Sequence, residues 1–128
     1  MATTTLREAR LPLGEAPAEG ERRLVEVGGH TIGVYCVEGA FFALADRCPH
    51  RAAPLCSRGE VVNAVEWVGD ELRVTHLNSL VRCPWHKWDF DIATGQCTVD
   101  PRLRVRRYAA WVDGEELVVS LDASPAAG

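Results

Sequence analysis

Two short segments near the middle of the chain each place a thiol and an imidazole within one tight turn of backbone. They are Cys48-Pro49-His50 and Cys83-Pro84-Trp85-His86, and the spacer between them, residues 51–82, is 32 residues long. Thiolates and imidazoles bind transition metals, so the two pairs together offer four ligands. They can form a tetrahedral zinc site, or hold a 2Fe-2S cluster with both cysteines on one iron and both histidines on the other. The chain must therefore fold so that two distant loops meet, and the ligands alone leave both metals open.

The segments on either side of these pairs are patterned as β-strands. Glycine-containing turns separate three apolar runs after Arg23, which predicts an antiparallel meander. Alternating residues near the C-terminus, followed by a turn at Asp113-Gly114, predict a closing hairpin. The predicted strands are Leu24–Val27, Thr31–Val37, Ala40–Ala45, 103–108 and Leu117–Leu121. No segment keeps an i, i+3, i+4, i+7 apolar pattern for three turns, so the predicted fold class is all-β.

Three further segments complete the domain organisation. Residues 1–20 mix prolines and glycines with alanines and glutamates in no sustained period, so we expect a flexible lead-in. Residues 61–80 are expected to form a hairpin around Gly69-Asp70, inserted between the two metal-binding segments. Residues 122–128 are small, with one proline, and are expected to be a frayed tail. The rest of the chain, residues 21–121, is expected to form a single domain.

The residues around the two pairs resemble the cluster-binding boxes of Rieske proteins, written C-x-H and C-x-x-H. The first box is Cys48-Pro-His-Arg-Ala-Ala-Pro-Leu55, and the second is Cys83-Pro-Trp-His-Lys-Trp-Asp-Phe-Asp-Ile-Ala-Thr-Gly95. The resemblance implies a β-sandwich or barrel of antiparallel strands, with the boxes as two loops of a cluster-binding subdomain. It also implies one Rieske-type 2Fe-2S cluster, with Cys48 and Cys83 on the buried iron and His50 and His86 on the outer one.

Three features depart from the family pattern. Ala52 and Lys87 stand where glycine is common, so either the loops tolerate a side chain there or the backbone turns differently. Lys87 also brings a positive charge beside His86. The spacer is about double the usual length, which we interpret as a strand pair inserted at the surface, since such insertions cost little closure entropy. These differences do not change the prediction that Cys48, His50, Cys83 and His86 are the four ligands.

The remaining cysteines offer one other ligand set. A four-cysteine cluster of Cys48, Cys56, Cys83 and Cys97 has spacings that resemble neither common ferredoxin pattern. Cys36 lies in a predicted strand and is expected to be a small core residue, whereas Cys56 and Cys97 flank the boxes and are expected to be free thiols. A structural zinc site also stays open, although zinc does not depend on the aromatic and turn residues that match the boxes.

We assign no metal-binding or catalytic role to the histidines and aromatic residues outside the ligand set. His30 and His76 are expected to be ordinary surface or hydrogen-bonded histidines. Trp85 is equally compatible with shielding a cluster from water and with a core position, whereas Trp88 and Phe90 are predicted to be core residues.

The segment from Arg102 to Arg107 alternates arginines with apolar residues. On a strand, most of these charges would project from one face. We interpret the segment as a solvated sheet face, with a docking patch for an electron-transfer partner as the alternative.

Composition limits the classes of partner and location. Eighteen acidic residues against fourteen basic ones give a net charge of -4, which argues against nucleic acid as the partner. The longest apolar run, Ala40–Ala45, is far shorter than the roughly 18 residues that span a bilayer, so no membrane insertion is expected. The N-terminus shows no export signal, and five cysteines without a CxxC pair fit a disulfide framework badly. A cytoplasmic location is therefore expected.

These observations predict an electron-transfer component rather than a complete enzyme, with no catalytic residues of its own. The chain has no GxGxxG nucleotide fingerprint for collecting hydride electrons, and too few further histidines for a mononuclear iron site. We expect a Rieske-type ferredoxin, a monomer or weak oligomer, that passes single electrons from a reductase to a terminal oxygenase. The alternatives are a small Rieske subunit of a multisubunit oxidoreductase of the nitrite-reductase type, and a zinc-stabilised interaction module.

Overall fold

The computed structural model describes residues 3–4, 7–49, 52–85 and 87–122. This part of the chain is built from antiparallel strands, with one short helix, α1 (Leu55–Arg58), and a 3₁₀ turn at Leu13–Glu15. The strands are β1 (Thr3–Thr4), β2 (Glu8–Pro12), β3 (Arg22–Val27), β4 (His30–Val37), β5 (Ala40–Ala45), β6 (Glu60–Val68), β7 (Glu71–Arg82), β8 (Asp89–Asp91), β9 (Arg107–Asp113) and β10 (Glu116–Ser120). The all-β prediction is confirmed. No helix within the described ranges is long and apolar enough to cross a membrane.

A large sheet of seven strands, in the order β1-β2-β10-β9-β5-β4-β3, forms the body of the molecule. The predicted meander is β3-β4-β5 and the predicted hairpin is β9-β10. Pairing of Ala43 with Tyr108 and of Leu44 with Arg107 joins the two groups. Alternating apolar residues of these strands turn to one side and form a buried core, as the period of two predicts. The sheet curls until β2 lies against β3, which makes it almost a closed barrel.

A smaller sheet, β6-β7-β8, carries the second metal-binding segment. Its strands β6 and β7 form the hairpin predicted around Gly69-Asp70, and they are longer than the predicted segment at both ends. The register shifts between Val62 and Val65, where β7 contributes extra residues. β8 then pairs with the end of β7, so the second loop is held between two neighbouring strands.

The expectation of a flexible lead-in over residues 1–20 is wrong for residues 8–12. These residues form β2, which pairs with β10 along its whole length. Ala9 and Leu11 are buried in the core of the large sheet, at 0% and 1% exposure. Two alternating apolar residues are too short a pattern to predict a strand, and the pairing with β10 supplies the stabilisation. Of the predicted tail, residues 123–128 lie outside the described part.

The strand expected over residues 103–108 begins only at Arg107. The segment before it pairs instead with residues 95–97, which follow β8: the Val105 N–H donates to the Gly95 carbonyl, and the Cys97 N–H to the Leu103 carbonyl. The expectation of one arginine-bearing strand face is therefore wrong. Arg106, for example, precedes β9, and its guanidinium lies 5.4 Å from the centre of the Tyr108 ring.

Candidate metal centre

The first loop follows β5 and turns Cys48 into the interior. The Cys48 N–H donates to the Ala53 carbonyl at 2.8 Å, and the Ala52 N–H donates back to the Cys48 carbonyl at 2.7 Å. Ala52 takes a left-handed backbone conformation, with φ of 57°. The loop therefore makes the turn for which glycine is usual, and the alanine bears the modest strain. As a result Cys48 is completely buried.

The second loop repeats this arrangement between β7 and β8. The Cys83 N–H donates to the Trp88 carbonyl at 2.8 Å, and Lys87 is left-handed, with φ of 58°. Across the base of the loop, Arg82 and Asp89 form an ion pair with an N–O distance of 2.7 Å. Cys83 is completely buried as well. Ala52 and Lys87 therefore both keep the left-handed turn that is usual for glycine, and differ from glycine only in carrying a side chain.

The two loops meet at their cysteines. Burial is the main reason that the pKa of the Cys83 thiol rises to about 11, and the hydrogen bond and charge of neighbouring Cys48 act in the same direction. The backbone N–H of Trp85 acts in the opposite direction. Two unpaired thiols, 35 positions apart in sequence, therefore face each other in the interior. A pair of buried thiols with no disulfide is a donor set that suits a metal ion.

The imidazole half of the predicted ligand set, His50 and His86, lies outside the described residues. Their immediate neighbours in the chain are described. Pro49 is exposed, and Trp85 is 51% exposed, so both loops reach the surface next to the predicted histidines. The core alternative for Trp85 is wrong. The core predictions are confirmed for Phe90, at 0% exposure, and for Trp88, which is partly buried against the same core.

Asp46, which the sequence analysis did not single out, ties the two ends of the first loop together. Its carboxylate accepts the backbone N–H groups of Cys56 and Ser57, at 2.6 and 2.9 Å, and the Ser57 hydroxyl. These are the free donors at the start of α1, so the carboxylate caps the helix from across the loop. Local capping patterns join residues within one turn, which is why a cap ten residues away gives no signal in the sequence.

Two glycines allow α1 to pack against both sheets. A Cβ on Gly59 would lie 2.1 Å from the Leu55 carbonyl oxygen and 2.6 Å from that of Arg82. A Cβ on Gly33, in β4, would lie 2.6 Å from the Cys56 side chain. Helix α1 follows the first loop, and Arg82 precedes Cys83. The close approach at Gly59 therefore fixes the spacing between the two loops.

The other cysteines are buried and unpaired. Cys56 directs its thiol to the carbonyl oxygens of Leu44 and Ala45, at 3.7 and 3.5 Å, and burial raises its pKa to about 12. Cys97 is 2% exposed and Cys36 is 8% exposed, and both are free thiols. Because the Cys56 thiol is bonded to the strand β5 backbone, the geometry favours the pair Cys48 and Cys83 over a four-cysteine cluster.

A groove of about 590 Å³ opens beside the first loop, next to Pro49. The exposed side chains of Arg47, Arg104 and Arg106 line it, together with Tyr108 and one acidic residue, Asp46. Two of these arginines belong to the segment predicted to be a solvated face or a docking patch. The tertiary structure thus concentrates positive charge next to the predicted metal site, although the whole chain has a net charge of -4.

Comparison with known proteins identifies the family. The model of the Rieske [2Fe-2S] domain matches residues 11–109. The chain belongs to this family. It is 34% identical over 110 residues to the ferredoxin component of the p-cumate 2,3-dioxygenase system of Pseudomonas putida, covering 84% of this chain and 80% of that protein. It is 28% identical over 104 residues to the ferredoxin component of the naphthalene 1,2-dioxygenase system of Pseudomonas aeruginosa, covering 80% and 85%.

Solved structures of other proteins share the fold of this Rieske chain. The ferredoxin of carbazole 1,9a-dioxygenase from Nocardioides aromaticivorans IC177 is 28% identical, with a TM-score of 0.63 over 86% of this chain and 92% of that one. A structure described as the small subunit of an NADPH nitrite reductase is 20% identical, with a TM-score of 0.62, and shares the fold. So does the carbazole-bound oxygenase and ferredoxin complex of carbazole 1,9a-dioxygenase, at 19% identity and a TM-score of 0.68. This chain spans 30% of the matched chain in that complex.

The described residues fit the cofactor of the family, a Rieske-type 2Fe-2S cluster. The cluster requires two thiolates on one iron and two imidazoles on the other. Cys48 and Cys83 supply two neighbouring thiols in a dry interior, and the boxes around them match the family. Because the pKa of the Cys83 thiol is raised, metal binding must release its proton, as metal ligation by cysteine generally does.

Proposed function

We propose that this chain is a Rieske-type ferredoxin that carries single electrons from a reductase to a terminal oxygenase. The observation that carries the proposal is the meeting of the buried thiols Cys48 and Cys83 in loops whose next residues emerge at the surface. Three relatives named as ferredoxins of dioxygenase systems support it, because each matches this chain over most of both lengths.

In this proposal each loop supplies one buried ligand, a cysteine, and one ligand near the surface, a histidine. Cys48 and Cys83 hold the inner iron, and His50 and His86 hold the outer one. The cluster supplies a one-electron carrier when bound. The chain's own residues exclude water from the thiolate side, where Leu55, Phe90 and Ile92 are fully buried. Electrons are expected to enter and leave at the loop tips, beside Pro49 and Trp85, since these exposed residues directly adjoin the histidines in sequence.

The groove beside Pro49 suggests the character of a redox partner's surface. Three exposed arginines attract acidic side chains, and such attraction acts mainly on the association rate and weakens with salt. A surface of this kind suits a transient partner, because electron-transfer encounters use small polar interfaces. The nitrite-reductase alternative predicts instead a large permanent interface with its catalytic subunit.

We also propose a cytoplasmic location. Five buried cysteines without a disulfide support a reducing compartment. The zinc-stabilised module is not supported, since the family match is to a 2Fe-2S domain.

Anaerobic purification of the full chain, with iron and sulfide analysis, tests the proposal directly. We expect a red-brown protein with about two irons and two sulfides per chain that becomes paramagnetic on one-electron reduction. His86→Ala should lose the iron, whereas the matched control His76→Ala, an exposed histidine of the hairpin, should keep it. A colourless protein with one zinc per chain would show that the proposal is wrong.

A second measurement separates the carrier from the fixed subunit. Stopped-flow reduction of the loaded protein by a ferredoxin reductase of a dioxygenase system should slow as salt is added, and should slow further in Arg104→Glu. Arg73→Glu, on the hairpin, is the control and should react at the wild-type rate. Co-purification in a stable complex with a large catalytic subunit would favour the nitrite-reductase alternative.

A further inference from the structure

The hairpin of β6 and β7 has two faces of different character near its tip. Val65 pairs with Val74, and Trp67 pairs with Leu72, across the two strands. Directly paired residues project from the same side of a sheet, so these four side chains form one apolar face. Between them, Glu66 pairs with Arg73 on the opposite face.

This apolar face has no cover within the described part of the chain. Trp67 is 69% exposed, and Val65, Leu72 and Val74 are each at least half exposed. Leu77, further along β7, is 60% exposed, and it lies on the same side as Val74 because the register shift pairs His76 with Ala64. A monomeric protein rarely exposes contiguous apolar side chains on this scale, and a patch of a few hundred Å² is usually an interaction site.

The position of the face argues against a redox partner as its occupant. Along β7, Leu72 is eleven residues before Cys83, and at about 3.3 Å per residue this puts about 36 Å of extended strand between the tip and the metal-binding loops. A protein seated at the tip would not approach the exposed ends of those loops. Electron-transfer encounters are also small and polar, whereas permanent homodimer interfaces are apolar at their centre.

We propose that this face is the contact of a homodimer, in which the hairpins of two copies pack face to face about a two-fold axis. A two-fold contact uses the same patch on both subunits, and two rows of paired apolar side chains suit packing against a copy of themselves. The five side chains expose on the order of 500 Å² per copy, and two copies would bury about 1,000 Å², the lower bound for a specific interface. Trp67, the largest and most exposed, is the central anchor.

The contact leaves both cluster-binding loops free for redox partners. No charged side chain lies in the two apolar rows, and the exposed ion pair of Glu71 with Arg73, at 2.8 Å, lies on the opposite face of the hairpin. Dimerisation is therefore expected to be insensitive to salt or strengthened by it, unlike the association expected at the arginine groove.

Sedimentation equilibrium of the full, cluster-loaded chain from low to high micromolar concentration tests the proposal. We expect wild-type protein to approach twice the chain mass of 14.0 kDa, and to stay dimeric at high salt. Trp67→Ser should raise the dissociation constant at least tenfold, as expected for a buried aromatic anchor, with the visible spectrum of the cluster unchanged. Trp111→Ser, at an exposed tryptophan of β9, is the matched control and should dimerise like wild type.

Two results would overturn the proposal. One is a wild-type chain that stays at the mass of a single copy up to high micromolar concentration, including the case in which Trp67→Ser weakens binding to a purified oxygenase instead. The other is a Trp67→Ser variant that dimerises as tightly as the Trp111→Ser control. Neither result depends on the identity of the cluster, because mass and visible spectrum are read separately.

Discussion

The large sheet and the region around the two loops bury different kinds of residues. The core of the sheet is mainly aliphatic and is formed by alternating residues of paired strands, among them Leu11, Ile32, Val34 and Leu117. The core around the loops contains four of the five cysteines, packed with larger residues such as Phe90. The first core follows a repeating pattern, whereas the second surrounds a site of metal-ligand chemistry.

The two regions also differ in what fixes the backbone. In the sheet, ladders of hydrogen bonds run along whole strands, so no single bond decides the geometry. Around the loops, a few contacts do so, including the Asp46 carboxylate on α1 and the ion pair of Arg82 with Asp89. The sheet should therefore tolerate single changes, whereas the loop region should depend on individual residues and on the bound cluster.

Removing a thiol ligand should have the largest effect on iron content and stability. It should disturb the loop region and leave the large sheet folded. Cys83→Ser is expected to abolish the visible absorption and iron content and to lower stability by several kcal/mol, since ligation stabilises the folded loops. The strand signal in far-ultraviolet circular dichroism should largely remain. Cys36→Ser, in β4 of the large sheet, should keep full iron content. If Cys83→Ser retained its iron, the assignment of the inner ligands would be wrong.

Adding a methyl group between the regions should have the next largest effect. Gly33→Ala places a Cβ 2.6 Å from the Cys56 side chain, so β4 and α1 must move apart. We expect a loss of about 1–3 kcal/mol in thermal or denaturant unfolding, as for other overpacked cores. Gly14→Ala, where the added Cβ meets nothing within 4 Å, should change stability by less than about 0.5 kcal/mol. Equal stability of the two variants would contradict the close packing at Gly33.

Loss of the cap on α1 should have a smaller effect that is confined to the loop region. Asp46→Ala leaves the N–H groups of Cys56 and Ser57 without their acceptor and should cost about 1–2 kcal/mol. Asp46→Asn retains one acceptor oxygen and should recover part of this loss. The rate of iron release to a chelator should rise in the same order. Equal release rates in wild type and Asp46→Ala would show that the cap does not hold the first loop.

The smallest effect concerns alkaline pH. The pKa of Cys56 is raised to about 12 from an ordinary value near 9, so above pH 9 the folded chain holds a proton that the unfolded chain releases. Stability is therefore full below about pH 9 and falls as pH rises toward 12. Between pH 7 and 10 wild type should lose about 1 kcal/mol more than Cys56→Ala. Parallel pH curves for the two proteins would mean that the Cys56 thiol is not protected by burial.

Much of the fold and site could be predicted from the sequence because the signals are local. Glycine turns and alternation located β4, β5 and β10, and the spacing within each box marked the two loops, including Cys48 and Cys83. The prediction failed where a strand depends on a distant partner. β2 has only Ala9 and Leu11 as its pattern, and residues 103–105 bond to residues 95–97, which follow β8, instead of continuing as a strand. His50 and His86 stay predictions.

Three features can be read directly from the amino-acid sequence: the thiols and imidazoles, their spacing within each box, and the alternation that makes strands. These follow from side-chain type and from periods of a few residues. Only the folded chain brings Cys48 to Cys83, places the Asp46 carboxylate on a helix ten residues away, and leaves the face around Trp67 without a cover among the described residues. Such features depend on contacts between distant parts of the chain, whose geometry no local pattern contains.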